Sequence, residues 1–162
     1  KGPHYLIDAW QRLGRPVRLV VAGDTSYSDE YVTRIRRSAD DGVIFPGFVF
    51  GEKLAALFRN ATLFVLPSDL EGYPIVLLEA MAYGTPPLAS DIPPNVEILG
   101  PGGMFFRAGD VESLAEQLAG CLARASELKE QALAARAAAV EQHDWDLVTA
   151  RTVTVYEEVL GR

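Results

Sequence analysis

The sequence predicts an α/β fold, a doubly wound parallel sheet with extra C-terminal helices. Three observations predict it. Short β-branched or apolar runs recur along the chain, and segments with helical periodicity of about ten residues separate them. After Asp110 the pattern is helical almost to the end, more than one crossover needs. Strands alternating with helices imply parallel βαβ units with right-handed crossovers. The length, 162 residues, fits one domain spanning 1–162.

Each element has its own signal. Gly2-Pro3 marks a helix start, with Pro at the first helical position; Leu6, Ile7, Trp10 and Leu13 follow at helical spacing, and Gly14 and Pro16 end the run. Val17 to Gly23 (VRLVVAG) predicts a strand buried on both faces. Ser28 to Asp40 predicts a polar helix carrying Tyr31, Ile35 and Ala39. Gly42 to Phe45 is a second strand. Glu52 to Ala61 is a helix with Leu54, Leu57, Phe58 and Ala61 on one face. Thr62 to Leu66 is a third buried strand, followed by a loop from Pro67 to Pro74 and a helix from Ile75 to Tyr83. Gly84 and Thr85-Pro86-Pro87 stop that helix. Leu88 to Ser90 is a short strand, Pro93 or Pro94 opens a helix to Leu99, and Gly103 to Phe106 is a last strand. Three stripes then predict helices: Val111, Leu114, Leu118 and Leu122; Leu128, Ala132, Ala135 and Ala139; Trp145, Val148, Thr152, Val155 and Val159, with packing on the sheet's edge and a return to another domain as the alternatives.

Composition narrows the function. Hydrophobic residues make up 49% and charged residues 23%, a globular balance. The net charge of −7 and pI near 4.8 disfavour non-specific nucleic-acid binding, which needs a clustered basic surface. No apolar stretch approaches the roughly 18 residues of a membrane-spanning helix, and the opening residues carry no signal-peptide pattern. Cys121, the single cysteine, fits a reducing compartment and predicts a small core residue. Two histidines and one cysteine argue against a structural zinc site, and His4 and His143 read as surface or packing residues. Asp24-Thr25-Ser26 lacks the spacing of a phosphate loop, and Ser68 and Ser90 lack a nucleophile-elbow context.

A doubly wound sheet binds ligands beyond the carboxyl ends of its strands. The loops after Gly23, Phe45, Leu66 and Ser90 are therefore the candidate ligand face. The segment from Ser68 to Glu79 (SDLEGYPIVLLE) runs from a strand end through a glycine-bearing turn into a helix N-terminus. That arrangement offers backbone N–H groups and the positive end of a helix dipole to phosphate. Glu79 lies about 6 Å further along the axis, roughly a ribose away. By periodicity alone, Glu79 equally fits a wet stripe or a cap on a neighbouring turn, and Glu71 equally fits a residue that serves only the dipole.

Glu71 and Glu79, with seven residues between them, are followed by Ala80-Met81-Ala82-Tyr83-Gly84-Thr85-Pro86. Lys1-Gly2, Val20 to Gly23, Phe45 to Val49, Ala61 to Ser68, Ala89-Ser90-Asp91 and Asp110 to Leu118 come in the matching order. Together they resemble the donor-binding signature of retaining glycosyltransferases of family 4, also called group 1. The resemblance implies a Rossmann-like domain, the C-terminal half of a GT-B fold. It implies that Glu79 hydrogen-bonds ribose hydroxyls and that Glu71, the catalytic candidate, lies near the sugar ring. The backbone of Gly72, Tyr73, Pro74 and Ile75 would meet the diphosphate and sugar, and Lys1 would neutralise the diphosphate. Gly23 would flank the donor, and Phe48 and Val49 would hold the base. The substrate would be a nucleoside diphosphate sugar, with no cofactor and no metal. The acceptor, a glycan, lipid or small molecule, would bind another domain. The implied location is the cytoplasm, which allows the inner face of a membrane. A non-catalytic nucleotide-binding module and a GT-B epimerase or phosphorylase half are the alternatives.

Two departures from the family pattern carry expectations. Tyr73-Pro74 stand where the family usually has Phe-Gly, and proline removes one backbone donor. The family domain also opens earlier, with a strand and an arginine ahead of Lys1. A sheet lacking that strand should show unpaired backbone groups beside the Val17–Gly23 strand or draw in a substitute strand.

Overall fold

The structure is a computed structural model, and it describes residues 1–24, 29–39, 41–142 and 144–161. Ser28, Asp40, Thr25, Ser26 and His143 lie outside the described residues.

The element order is α1 (Pro3–Arg12), β1 (Leu19–Ala22), α2 (Asp29–Ser38), β2 (Val43–Gly47), α3 (Gly51–Asn60), β3 (Phe64–Leu66), α4 (Ile75–Ala82), β4 (Pro87–Ser90), α5 (Pro93–Leu99), β5 (Met104–Phe106), α6 (Val111–Ala123), α7 (Ala125–Gln142) and α8 (Trp145–Leu160). Pro3 starts α1 as its spacing predicts, with Leu6, Ile7, Ala9 and Trp10 buried on one face. The Trp10 indole N–H donates to the Val17 carbonyl at 2.7 Å and ties the α1–β1 loop to the helix. Asp110 caps α6 by accepting from the Ser113 N–H at 2.9 Å.

Every strand pair is parallel, but among the described residues the strands form two sheets, β1-β2 and β3-β4-β5. Leu19 pairs with Val43 in the first, and Leu66 with Ala89 and Ala89 with Phe105 in the second. No described strand lies between β1 and β3, so one edge of each has no ladder partner.

Side chains bridge the two sheets. Leu6, Ala9 and Trp10 of α1 and Leu114, Leu118 and Cys121 of α6 form one cluster with Val43, Leu88 and Phe106, and Leu19, Val21 and Val65 pack against it. A second cluster, Leu66, Leu77, Ala89 and Ile98, lies under α4 and α5. The three-stranded sheet is thus covered on both faces.

The two-stranded sheet is not. Val20 and Ile44 are exposed at 39% and 43%, so the strand expected to be buried on both faces is open on one and half-buried on the other. The reason is that α1 and α6 cover only the Leu19–Val21 face. The stripes of the last two helices are covered unequally. In α7 Leu128 is buried, while Ala135 is exposed and Ala132 and Ala139 are only half-buried. In α8 no residue is buried, and Trp145, Val155 and Val159 are open to solvent. No helix among the described residues is long and apolar enough to cross a membrane.

Candidate functional site

The loop from β3 to α4 is held from below by α1. Gly2 sits in the left-handed region, with φ of 60°, against the end of β3. A Cβ on Gly2 would come within 2.0 Å of the Pro67 carbonyl oxygen, so only glycine allows this approach. The fit delivers Lys1 to the loop. Its ammonium donates to both carboxylate oxygens of Glu71, at 2.5 and 2.7 Å. The Ser68 hydroxyl donates to Oε1 of the same carboxylate at 2.6 Å.

The Glu71 side chain is only 8% exposed, against 67% for Lys1. Burial works against its charge, but the bonds from Lys1 and Ser68 outweigh burial and hold its carboxyl below the usual range. Beside it, burial and then the Asp69 carboxylate push the Tyr5 phenol up. On α2, the Tyr31 hydroxyl meets His4 Nδ1 at 2.7 Å, so His4 is a packed histidine.

Gly72 to Pro74 lead into α4, and no side chain caps its N-terminus. Tyr73 and Ile75 are each 52% exposed. A Cβ on Gly72 would meet no atom within 4 Å, so the protein itself leaves this turn open. Glu79 is half-buried on α4, and its carboxylate makes no hydrogen bond or ion pair within the described residues. A partly buried carboxylate without a partner is costly, and a ligand hydroxyl would relieve that cost.

The other candidates stand at the ends of β1 and β2, strands of the other sheet. Gly23 follows β1 and donates its N–H to the Gly47 carbonyl at 2.8 Å. Phe48 follows β2, is 61% exposed, and stacks on Phe50 with ring centroids 6.1 Å apart. Phe48 and Val49 line an open groove with Pro46, Lys53 and Leu57. Among the described residues no group of three or more His, Cys, Asp or Glu could hold a metal ion. Cys121 is a buried core residue with Sγ 3.5 Å from the Met104 sulfur.

The structure thus joins Lys1 to Glu71 directly and places Glu79 one turn into the helix that Gly72–Pro74 open. It adds residues that sequence reasoning misses. Ser68 and Ser90 lack a nucleophile's context, yet both are fully buried and both hold the loop. Nothing in the sequence around Asn95 marks it. The spacing Ser68-x-x-Glu71, a hydroxyl three residues from a carboxylate in a turn, is the available signal.

Comparison with known proteins meets the same residues. The family described as "Glycosyl transferases group 1" matches residues 1–124. The chain is 40% identical over 118 residues to a phosphatidyl-myo-inositol mannosyltransferase of Mycobacterium leprae, covering 71% of this chain and 31% of that protein. It is 32% identical over 149 residues to a GDP-mannose:cellobiosyl-diphosphopolyprenol alpha-mannosyltransferase of Xanthomonas oryzae, covering 89% and 39%. The chain therefore spans about a third of the length of these relatives. Among solved structures, Anabaena HepE in complex with UDP-glucose superposes with a TM-score of 0.87 at 23% identity, over 98% of this chain and 45% of that one. Sucrose-phosphate synthase from Thermosynechococcus elongatus gives 0.84 at 24% identity, over 99% and 43%. These likenesses establish the fold as one Rossmann-like half of a GT-B architecture. With the family match running from Lys1 through α6, the chain belongs to the group 1 glycosyltransferases.

Proposed function

We propose that this chain is the single nucleotide-sugar-binding domain of a glycosyltransferase. The parent moves a sugar from a nucleoside diphosphate donor to a glycan, lipid or small acceptor, with retention. The acceptor occupies a further domain of the parent. The observation that carries the reading is the juxtaposition at one strand end: a cation and a buried glutamate, an uncapped helix N-terminus, and an unpartnered carboxylate one turn beyond. The mannosyltransferase relatives and the UDP-glucose bound to HepE support it.

The roles follow from the chemistry of each group. Backbone N–H groups and the dipole at the start of α4 stabilise the negative charge that develops on the leaving diphosphate. The Lys1 ammonium, 67% exposed and already held by Glu71, adds a fixed positive charge beside them. Gly72 leaves room for close approach, while Pro74 contributes no N–H. Glu71, low in pKa and therefore ionised, faces the sugar ring. Glu79 accepts from the ribose hydroxyls, Phe48 and Val49 flank the base, and Gly23 borders the diphosphate. The buried free thiol of Cys121 supports a cytoplasmic location for the parent.

Glu79→Gln tests the reading. It keeps the shape but removes the charge and one acceptor. Calorimetric titration should show nucleoside diphosphate binding weakened about 10-fold or more, the worth of a hydrogen bond to a charged group. Binding of the 2′,3′-dideoxy nucleotide should hardly change. Equal losses for both ligands would defeat the ribose assignment.

A further inference from the structure

Three polar side chains, Ser68, Ser90 and Asn95, are completely buried beneath the site. Buried polar groups are costly unless hydrogen-bonded, so their connections are informative. β3 and β4 pair in register as far as Leu66 and Ala89. Just beyond, where the backbone ladder ends, the Ser90 hydroxyl donates to the Ser68 carbonyl at 2.5 Å. Asn95, in the first turn of α5, donates from Nδ2 to the Ser90 carbonyl at 2.9 Å and to the Ser90 hydroxyl oxygen at 3.0 Å. The Ser90 carbonyl can only accept, which fixes the orientation of the Asn95 amide. The Ser68 side chain then donates to Glu71.

We propose that Asn95 and Ser90 are positioning residues, which act through Ser68 to hold the Glu71 carboxylate in one orientation toward the donor sugar. This rests on the reading of Glu71 as a group that faces that sugar. The relay ties α5 and the ends of β3 and β4 to one carboxylate. Oδ1 of Asn95 is buried with no hydrogen-bond partner, a cost that an apolar side chain of equal volume would avoid. A residue kept only for packing would not need that amide. The bond to the Ser68 carbonyl fixes the backbone that carries the Ser68 hydroxyl, which suits a group that must not drift.

The test follows Glu71 itself. In this chain, carboxyl ¹³C labelling of glutamate, with Glu71 assigned through Glu71→Gln, gives its titration midpoint. Ser90→Ala frees the Ser68 carbonyl, and the midpoint should rise toward that of an ordinary glutamate. Ser90→Thr returns the hydroxyl and should bring the midpoint back. Asn95→Leu serves where Ser90→Ala does not fold. In parallel, calorimetry compares UDP-glucose with UDP, and GDP-mannose with GDP. Ser90→Ala and Asn95→Leu should each weaken the nucleotide sugar about 5-fold more than the matching diphosphate, the effect of one net hydrogen bond, and Ser90→Thr should restore it. A lowered melting temperature with an unchanged Glu71 midpoint overturns the proposal, because the relay would then serve only the sheet. If the unaltered chain binds none of the four nucleotides, the donor-site reading fails instead, and the titration still decides whether the relay holds Glu71.

Discussion

Gly2 and Gly72 stand on two sides of one loop and answer to different neighbours. Gly2 needs its left-handed φ of 60° and has a backbone oxygen where a Cβ would go. Gly2→Ala should cost at least about 1–2 kcal/mol from the conformation alone. At roughly 2–4 °C per kcal/mol for a domain of this size, thermal denaturation will register it. A methyl at Gly72 would meet no protein atom within 4 Å, and the φ there is not left-handed. Gly72→Ala should leave the melting temperature unchanged or slightly raised. It should weaken nucleotide-sugar binding about 10-fold or more, because the methyl enters the space the ligand needs. A large drop in melting temperature for Gly72→Ala would show that the turn is kept for folding.

Glu71 carries a pH signature. Its folded carboxyl lies below its ordinary value of 4.5, because the bonds from Lys1 and Ser68 outweigh the effect of burial. A depressed folded pKa contributes stability that is fully present above the unfolded value and is lost as pH falls through the folded value. The melting-temperature advantage of the unaltered chain over Glu71→Gln should hold at neutral pH and narrow below about pH 4. A difference that stays constant into acid would place the charge elsewhere. The carboxylate pair was legible in the sequence through its context. The bonds around Glu71 were not, because Lys1 meets it across the fold, and Ser90 and Asn95 meet Ser68 and each other through tertiary contacts.

At the scale of elements, helix starts were the most legible feature. Pro3 and Pro93 open α1 and α5, and Asp110 precedes α6, each where local chemistry places it. Apolar stripes were legible as stripes, but periodicity cannot say what covers them. α6 and α8 show the difference. Leu118 in α6 is 5% exposed, whereas Val155 and Val159 in α8 are 56% and 80% exposed. Leu118→Ala should cost about 2–5 kcal/mol. Val155→Asp and Val159→Asp should each change the stability of this chain by no more than about 0.5 kcal/mol. Thermal or urea denaturation measures both. A severe loss from either α8 substitution would mean that this face is packed in solution.

Over the whole molecule, the parallel α/β order was legible from alternation, and the rule of strand ends named the candidate face. Alternation does not reveal the break between the two sheets. Nor does it reveal the solvent-open face of β1 and β2, since a run such as Val17 to Gly23 looks the same whether helices cover one face or two. That break has a kinetic consequence. Among the described residues no backbone hydrogen bond crosses it, and side chains of α1 and α6 bridge β1-β2 and β3-β4-β5. Side-chain contacts yield sub-globally more readily than a continuous ladder does, and units that open separately show separate amide exchange. Deuterium uptake followed by mass spectrometry should therefore resolve two classes of strand amides in this chain. The Leu19–Ala22 and Val43–Gly47 amides should exchange early and together, while those of Phe64–Leu66 and Pro87–Ser90, sandwiched between helix layers, should outlast them. Uniform protection across all five strands would mean that the two sheets open as one.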